Sequence, residues 1–336
     1  MTVLVTGGAG YIGSHTVRQL RSIGRNVVVL DSLDTGNAAN VLDAPLVVGD
    51  IADAGLVRQI CGDYKVTAVV HFAAHKSVGE SMISPAKYWH NNVDGSVRLV
   101  DALLAGGVRN LVFSSSCSVY GTPEVVPVTE AAPIQPESVY AESKAMVEKV
   151  LKWYGLISGF RSVSLRYFNA AGASSDNVIG EDWSQSVNLI PVVMKAALGV
   201  GPAIHVFGTD YPTPDGTCIR DYIHVEDLAD AHIRSLDYLA NGGETIGLNV
   251  GTGIGSSVLD VVRATERIGD CTVPMVLGPR RDGDPITSFA EPTLTKSVLG
   301  WTPRHGLDSI ISSAWRWHST RVASQVANAG RTPKIR

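Results

Sequence analysis

Residues 2–20 read TVLVTGGAGYIGSHTVRQL, and this stretch decides the fold. The apolar run at residues 2–6 predicts a short buried strand, and residues 14–20 have helical spacing. Between them Gly7, Gly10 and Gly13 recur at every third position, so the backbone can turn tightly and approach a pyrophosphate at the helix N-terminus. A strand, a glycine-rich turn and a helix form the first unit of a dinucleotide-binding fold, although a purely structural turn also explains the glycines.

A second apolar run, residues 26–30, ends at Asp31. A carboxylate about 20 positions after the glycines can accept the ribose 2′-hydroxyl of NAD and repel the 2′-phosphate of NADP. No Arg or Lys lies between Ser32 and Asn40 to receive such a phosphate. The sequence therefore favours NAD as the cofactor, with an ordinary strand-end cap as the alternative role of Asp31.

Four further apolar runs, at residues 46–48, 68–72, 111–113 and 162–165, each end in small or polar residues. Their continuous rather than alternating pattern is typical of parallel strands that are covered on both faces. In an open parallel sheet the ligand lies beyond the carboxyl ends of the strands. We therefore expect these ends to line one site in an α/β fold with a doubly wound, Rossmann-type parallel sheet.

Beyond Asn169 the sequence changes character. Residues 170–185 are small and polar and predict a loop, and residues 319–336 are polar and basic and predict a frayed tail. We expect an NAD-binding domain at residues 1–169, rejoined by roughly 219–250, and a smaller mixed α/β domain in the remainder of 170–318 that binds the substrate. Helices are predicted at residues 85–104, 142–154, 187–198, 226–240 and 257–266, and later strands at 204–207 and 246–250.

Composition narrows the class of protein. The chain has 336 residues and a net charge of -4, which indicates no general attraction to nucleic acid. Its four cysteines form no Cys-x-x-Cys pair and its nine histidines show no ligand spacing, so we expect no metal site and no disulfide framework. No signal peptide and no apolar run long enough to span a bilayer is visible, so we expect a cytoplasmic protein without a membrane partner.

Residues 140–144 read YAESK, which places Tyr140 and Lys144 one turn apart on a helix face. A cation about 4 Å from a phenol favours the phenolate by roughly 4 kcal/mol at an effective dielectric constant of about 20, before the cost of desolvation. That attraction would bring the pKa of Tyr140 from about 10 towards neutrality, where it can act as a base. A solvated surface helix is the alternative, because the pattern is common.

With the glycine turn, Ser116, Tyr140 and Lys144 all present, the chain resembles the extended short-chain dehydrogenase/reductases and, more closely, the UDP-glucose 4-epimerase family. The resemblance extends from Val3 to about Trp317. Its most specific pieces are residues 7–14, 71–81, 114–121, 140–144, 166–169, 220–224 and 279–284.

The resemblance implies reversible, NAD-dependent inversion of carbon 4, which interconverts UDP-galactose and UDP-glucose through a 4-keto intermediate. It implies that Tyr140 takes the proton of the sugar 4-hydroxyl and that Ser116 hydrogen-bonds the reacting oxygen. Lys144 is expected to hold the nicotinamide ribose and to lower the pKa of Tyr140. The family also implies a homodimer, which the helices at residues 85–104 and 142–154 could form.

The resemblance also implies two sets of binding residues. The expected cofactor contacts are Gly7, Gly10, Tyr11, Ile12, Gly13, Asp31, Asp50, Ile51, Phe72, Ala73, Ala74, Lys76, Asn91, Ser114, Ser116, Tyr140, Lys144 and Phe168. The expected UDP-sugar contacts are Lys76, Ser116, Tyr140, Asn169, Asn188, Leu189, Phe207, Arg220, Arg281, Asp284 and Ser288. Guanidinium groups pair well with pyrophosphate oxygens, although Arg220 and Arg281 could also be ordinary surface charges.

Two residues depart from the family pattern. Ser288 falls where some members carry a tyrosine that closes the sugar pocket, so we expect room for a 2-acetamido group and acceptance of UDP-N-acetylhexosamines. Cys117 follows Ser116 where a plain small residue is common, and we expect a buried thiol there.

Several alternatives stay open. A sugar dehydratase would need an acidic pair after the serine, but Ser116 is followed by Cys117 and Ser118. A 4-epimerase of a pentose or uronic UDP-sugar, or a reductase that releases its cofactor, would share the same motifs. A non-catalytic NAD-binding scaffold is disfavoured because Ser116, Tyr140 and Lys144 are all present.

Overall fold

The computed structural model describes residues 1–281 and 283–329. The strands are β1 (Thr2–Thr6), β2 (Asn26–Asp31), β3 (Leu46–Val48), β4 (Ala68–His71), β5 (Asn110–Ser114), β6 (Arg161–Tyr167), β7 (Asn169–Ala171), β8 (Ile204–Phe207), β9 (Ile219–His224), β10 (Ile246–Val250), β11 (Gly255–Ser257), β12 (Met275–Gly278) and β13 (Thr287–Ser288). The α-helices are α1 (Tyr11–Ser22), α2 (Ala54–Asp63), α3 (Val78–Ile83), α4 (Pro85–Tyr88), α5 (Gly95–Ala105), α6 (Val139–Ser158), α7 (Leu189–Ala197), α8 (Val225–Ala240), α9 (Val258–Gly269), α10 (Thr293–Leu299) and α11 (Leu307–Ala329).

Seven strands form one parallel sheet in the order β10-β6-β5-β4-β1-β2-β3. Apolar side chains from β1 and β2 pack with those of α1 and α8 on one face, and with those of α2 and α5 on the other. The sheet is therefore doubly wound, as the continuous apolar strands predicted. Its strand order reverses between β1 and β4, and a crevice at such a reversal is where open α/β sheets bind ligands.

A smaller mixed unit follows the large sheet. Strands β7, β9, β11 and β13 form one small sheet, in which β11 and β9 are antiparallel, and β8 and β12 form a parallel pair. Helices α7, α9 and α11 share an apolar core over these strands. The predicted mixed α/β character is confirmed, and the exact domain boundaries stay a prediction.

The segment that rejoins the large sheet is shorter than expected. Strand β10 pairs with β6 in the large sheet, and α8 packs against α1. Residues 219–224 instead form β9 at the centre of the small sheet, so the returning segment begins at α8. The reason is that β9 finds its hydrogen-bonding partners in β7, β11 and β13.

Two local predictions are corrected. Residues 170–185, expected to be a loop, contain the end of β7 and a short 3-10 helix at Trp183–Gln185. The frayed tail expected from residue 319 is wrong as far as Ala329, because α11 continues to that residue. Burial of Trp317 and His318 anchors this helix against the smaller unit, so residues 319–329 continue it rather than form a tail. Residues 330–336 of that tail, and Asp282 of the 279–284 motif, lie outside the described residues.

No helix in residues 1–281 and 283–329 combines the length and the apolar character needed to cross a membrane.

Candidate active site

Two of the three glycines in the β1–α1 turn are required by the packing of the protein itself. Gly7 has φ +71°, and a Cβ there would lie 2.6 Å from the backbone nitrogen of Ala73. A Cβ on Gly13 would lie 2.3 Å from the carbonyl oxygen of Gly7. The turn is therefore pressed against the end of β4, which fixes where α1 begins.

Gly10 is less crowded, because a Cβ there would make one tight contact rather than a clash. It is the N-cap of α1, provides no side-chain cap, and its nearest neighbour to a built Cβ is the Gly7 oxygen at 3.3 Å. No acidic residue occupies the first turn of α1. The first-turn N–H groups of a helix lack intrahelical partners and attract anions. This N-terminus, with neither a side-chain cap nor an acidic first turn, suits the pyrophosphate of a dinucleotide.

Asp31 lies where β2 ends, at the wall of the same cleft. Its carboxylate accepts hydrogen bonds from the backbone nitrogens of Ala9 and Leu33, each at 2.9 Å. These contacts orient the side chain, which is 7% exposed. The carboxylate therefore has a fixed position from which to accept ribose hydroxyls.

The structure brings almost all predicted cofactor contacts to one cleft at the carboxyl ends of the strands. Its wall includes Gly7, Gly10, Tyr11, Ile12, Gly13, Asp31, Asp50, Ile51, Phe72, Ala73, Ala74, Lys76, Asn91, Ser114, Tyr140 and Lys144. Ser116 and Phe168 are not part of this wall. Phe168 is buried in a cluster with Val119 and Ala290, and so supports the site from behind.

Some residues of the cleft wall were not predicted from the sequence. Asn37 and Asn40, on the loop after Asp31, both line it, as do Tyr167 and Glu181. The amide of Asn40 donates to the carbonyl oxygen of Ala9 at 3.4 Å, which ties this loop to the glycine turn. The run of Gly and Asn after an acidic strand end was the available signal for the first two residues.

Helix α6 places Tyr140 and Lys144 inside the protein rather than on a solvated face. Ser138 caps the helix by accepting a hydrogen bond from the backbone nitrogen of Ala141. The Tyr140 nitrogen donates to the Ser81 hydroxyl at 3.1 Å, and the Lys144 ammonium donates to the carbonyl oxygen of Ser114 at 2.8 Å. Both side chains reach the cleft, so the surface-helix alternative is excluded.

The electrostatics of this pair differ from the sequence expectation. Burial raises the pKa of Tyr140 well above its ordinary value, Tyr167 adds to the rise, and a hydrogen bond with Ser116 opposes it. Burial lowers the pKa of Lys144 from 10.5 to about 7, against the opposing effect of the Glu148 carboxylate. The prediction that Lys144 alone brings the pKa of Tyr140 towards neutrality is therefore wrong for the chain by itself.

The physical reason is desolvation. The Lys144 nitrogen lies 5.9 Å from the centre of the Tyr140 ring, and it is hydrogen-bonded to a backbone carbonyl. Two groups that are both removed from water favour their neutral forms, so proton transfer by Tyr140 needs additional charge in the completed site.

Ser116 completes the predicted catalytic trio. It is 9% exposed, and its hydroxyl oxygen accepts hydrogen bonds from the Ser118 nitrogen at 3.2 Å and the Ser118 hydroxyl at 2.9 Å. Its contribution to the pKa of Tyr140 places it beside the phenol. Burial raises the pKa of the adjacent Cys117 to about 12, so that thiol stays neutral.

Five of the predicted UDP-sugar contacts form a second cluster on the smaller unit. Asp284 lies between two guanidinium groups, 2.8 Å from Arg281 and 3.8 Å from Arg220. The Arg281 guanidinium also lies 5.4 Å over the ring of Phe207. Ser288 on β13 pairs in register with Arg220 on β9. Two cations held by one carboxylate leave a net positive charge that suits a pyrophosphate.

Two further predicted contacts, Asn188 and Asn169, are held by hydrogen bonds. The Asn188 amide donates to the Glu181 carboxylate at 3.2 Å, and the Asn169 amide donates to the carbonyl oxygen of Asp221 at 3.0 Å. Burial raises the pKa of Glu181, and Lys76 is one of the groups that oppose this rise. Leu189 begins α7 directly after Asn188. Glu181 gave no sequence signal, because it lay in a stretch interpreted as a loop.

Comparison with known proteins agrees with this geometry. A sequence model of the NAD dependent epimerase/dehydratase family matches residues 3–251. The chain is 45% identical to the UDP-glucose 4-epimerase of Lactobacillus helveticus, over 95% of this chain and 98% of that protein. It is 46% identical to the UDP-glucose 4-epimerase of Rhizobium meliloti, over 95% of this chain and 97% of that protein.

A solved structure gives the same result. The crystal structure of UDP-glucose 4-epimerase from Stenotrophomonas maltophila, with bound NAD and formylated UDP-arabinopyranose, superposes with a TM-score of 0.94. The two chains are 41% identical, and the match covers 96% of this chain and 99% of that one.

The surroundings of Gly10 yield a prediction. Gly10→Ala should fold with a small loss of thermal stability, because its Cβ makes one tight contact, 3.3 Å from the carbonyl oxygen of Gly7, which a small shift relieves. The added methyl group should weaken NAD binding by at least about tenfold, since it would occupy the pyrophosphate position. Thermal melting and NAD titration by tryptophan fluorescence measure the two effects.

Gly62→Ala, at an open position on α2, is the control and should bind NAD normally. Wild-type NAD affinity in Gly10→Ala would show that the anion site lies elsewhere.

Proposed function

The chain belongs to the NAD dependent epimerase/dehydratase family, and from this premise we propose that it interconverts UDP-galactose and UDP-glucose by inverting carbon 4. The observation that carries the proposal is the buried placement of Tyr140 and Lys144 at a dinucleotide cleft, with Ser116 beside the phenol. The arginine cluster around Asp284 supplies a separate anionic subsite for the UDP group.

NAD is the cofactor of this reaction. The Gly10 turn would hold its pyrophosphate and Asp31 would hold a ribose, and Lys144 and Ser114, which line the same cleft, would then lie towards the nicotinamide. When bound, NAD supplies the hydride acceptor and donor together with a positive charge near Tyr140. Lys144 keeps its hydrogen bond to the strand end and offers its other protons to the ribose hydroxyls.

Tyr140 handles the proton of the reaction. Its phenolate accepts the proton of the sugar 4-hydroxyl when carbon 4 becomes a ketone, so that Tyr140 is then a neutral phenol, and it returns the proton to the same oxygen when the carbon–hydrogen bond re-forms on the opposite face. Tyr140 is a phenolate again at the end, and the sugar undergoes no net oxidation. Ser116 donates a hydrogen bond to the reacting oxygen and so stabilises the charge that develops there.

The smaller unit binds the UDP group. Arg220 and Arg281 pair with the pyrophosphate oxygens, and Asp284 keeps the two guanidinium groups at a fixed separation. Phe207, 42% exposed, offers an apolar surface next to Arg281. Because these residues belong to β8, β9 and the segment before β13, the anchor is independent of the residues that do the chemistry.

A turnover measurement with a matched variant tests this function. The protein purified without added cofactor should convert UDP-galactose into UDP-glucose, detected with a coupled dehydrogenase. Tyr140→Phe should retain NAD but lose about 10²- to 10⁴-fold in kcat, because the proton acceptor is gone. Tyr64→Phe, at the exposed end of α2, should behave as wild type. A folded, NAD-loaded wild type that leaves UDP-galactose unchanged would contradict the proposal, and would direct attention to pentose and uronic UDP-sugars.

Acceptance of UDP-N-acetylhexosamines is a finer part of the proposal. Ser288 is half-buried and lies beside Arg220 in the small sheet. A short side chain at this position leaves more room than a tyrosine for the substituent at carbon 2 of the sugar.

Replacement of this residue tests the pocket. Ser288→Tyr should lower kcat/KM for UDP-N-acetylgalactosamine by at least about tenfold relative to UDP-galactose, since a bulky ring excludes the larger sugar. Ser288→Ala is the control and should keep the ratio of the two substrates close to that of wild type. An unchanged ratio in Ser288→Tyr would show that this residue does not face the sugar.

A homodimer is the assembly that the surface of α5 and α6 supports. Trp153, Leu156 and Ile157 on α6 are 63%, 69% and 78% exposed. An apolar groove between the helices is lined by Val97, Met146, Lys149, Val150, Trp153 and Tyr154. Large apolar side chains concentrated on a helix pair are typical of a surface that is covered by another protein. In such a dimer each copy would contribute α5 and α6, so the interface would contain four helices.

The dimer proposal is tested at its most exposed aromatic residue. Wild type should be a dimer by light scattering, and Trp153→Glu should be largely monomeric because it places a charge in the apolar interface. Ile254→Glu, at a 69% exposed position away from α6, should remain a dimer. A monomeric wild type at micromolar concentration would rule out this assembly.

A further inference from the structure

Helix α6 carries a third polar residue on the face that bears Tyr140 and Lys144. Glu148 follows Lys144 by one turn, at the same spacing that separates Lys144 from Tyr140. Its carboxylate accepts a hydrogen bond from the Ser115 hydroxyl at 2.5 Å. It also pairs with Arg166 on β6 through contacts of 2.6, 3.0 and 3.1 Å. Glu148 therefore joins α6 to the ends of β5 and β6.

Glu148 holds the end of β5, at Ser114–Ser116, which contacts the proposed reacting groups. Ser115 lies between Ser114, whose carbonyl oxygen receives the Lys144 ammonium, and Ser116, which neighbours the phenol. The backbone of these three residues must keep one conformation for the two flanking contacts to coexist. A hydrogen bond from the middle side chain to Glu148 is a direct constraint on that conformation.

The ion pair is nearly buried and is embedded in a wider polar network. The side chains of Glu148 and Arg166 are 13% and 12% exposed. Arg166 also donates to the Tyr120 hydroxyl at 2.8 Å, which donates to Asn249 on β10 at 2.7 Å. Removal of two ions from water is costly, so a buried pair is weak evidence for a purely stabilising role. Its position beside the reacting groups suggests a different use.

The charges around Lys144 show what Glu148 adds. On α6, the residues near the Lys144 ammonium are Tyr140 and Glu148. From the other described elements, the nearby residues are His71 of β4, Ser114 and Phe113 of β5, and Tyr167 of β6.

Most of these groups are neutral. Burial lowers the pKa of His71 to about 3 and raises the pKa of Tyr167 to about 12. The Glu148 carboxylate is the group that opposes the effect of burial on the Lys144 pKa, and Arg166 lies on the far side of that carboxylate.

We propose that Glu148 is a positioning residue for the epimerisation, which fixes the Ser114–Ser116 strand end and electrostatically supports the Lys144 ammonium in the buried site. The proposal rests on the function proposed above, because its readout is turnover. Glu148 does not line the described cleft and acts through Ser115 and Lys144. Arg166 orients the carboxylate and moderates its charge.

The test is the pH profile of kcat with saturating UDP-galactose, measured on the NAD-loaded protein. Lys144 must keep its proton to support Tyr140, so loss of that proton sets an alkaline limb. Glu148→Gln removes the negative charge that favours the ammonium, and the alkaline limb should move to lower pH by about one unit. The ratio of the wild-type kcat to the Glu148→Gln kcat should therefore be about ten times larger at pH values above the limb than on the plateau.

Arg166→Gln supplies a comparison of opposite sign. It removes a positive charge near Glu148 while retaining a hydrogen-bond donor, so the alkaline limb should move to higher pH. A pair that only stabilises the fold would give losses without opposite shifts. Glu148→Asp keeps the charge and should restore the wild-type limb with a moderate loss of kcat. Asp237→Asn, which breaks an exposed ion pair with Arg25, is the control and should leave the profile unchanged.

The outcomes separate the two proposals. An inactive, NAD-loaded wild type contradicts the proposed function, whereas an active wild type whose limb is unmoved in Glu148→Gln overturns only the role of Glu148. A limb that moves in the same direction in Glu148→Gln and Arg166→Gln also overturns it. If Glu148→Gln does not fold, the other two variants test the proposal. An alkaline limb at higher pH in Arg166→Gln together with a wild-type limb in Glu148→Asp supports it. A wild-type limb in Arg166→Gln counts against it.

Discussion

Desolvation of Tyr140 and Lys144 is the constraint on which the rest of this site depends. Both side chains leave water when α6 packs against the ends of β5 and β6, and burial favours the neutral phenol and the neutral amine. Base chemistry at carbon 4 needs the charged pair instead. The surrounding groups must therefore stabilise the phenolate and the ammonium, which burial disfavours. The chain contributes Glu148 from α6 and Ser116 from the strand end. The bound cofactor adds its own charge when the cleft is filled.

The architecture keeps this chemistry apart from the recognition of the substrate. The doubly wound sheet places the glycine turn, Asp31 and the serine triplet along one edge, since parallel strands end on the same side. The small sheet presents Arg220 and Ser288 on neighbouring strands, away from Tyr140 in the sequence. Glu181 lines the cofactor cleft and accepts a hydrogen bond from Asn188, at the start of α7. Binding energy at the UDP group can thus orient a sugar that itself makes few charged contacts.

Local patterns in the sequence predicted the parts of the fold that local chemistry decides. The spacing of Gly7, Gly10 and Gly13 predicted the turn, and the Tyr140–Lys144 spacing predicted one helix face, because both depend on near neighbours. Effects of burial were harder to predict. The pKa of Tyr140 depends on how many protein atoms surround it, and the continuation of α11 depends on the burial of Trp317. Glu148 was missed because its partners Arg166 and Ser115 lie on other segments of the chain, whereas Glu181 was missed because its stretch was interpreted as a loop.

The most direct test of this account is the ionisation of Tyr140 in the cofactor-free protein. Tyrosine labelled with 13C at the ring carbon that bears the hydroxyl would be titrated by NMR, and Tyr140→Phe would assign the resonance. We predict that the Tyr140 signal keeps the chemical shift of a neutral phenol from pH 6 to about 10, because burial outweighs the attraction of a Lys144 ammonium whose own pKa is about 7. A transition near pH 7 without cofactor would show that Lys144 alone activates the phenol, and would contradict the account.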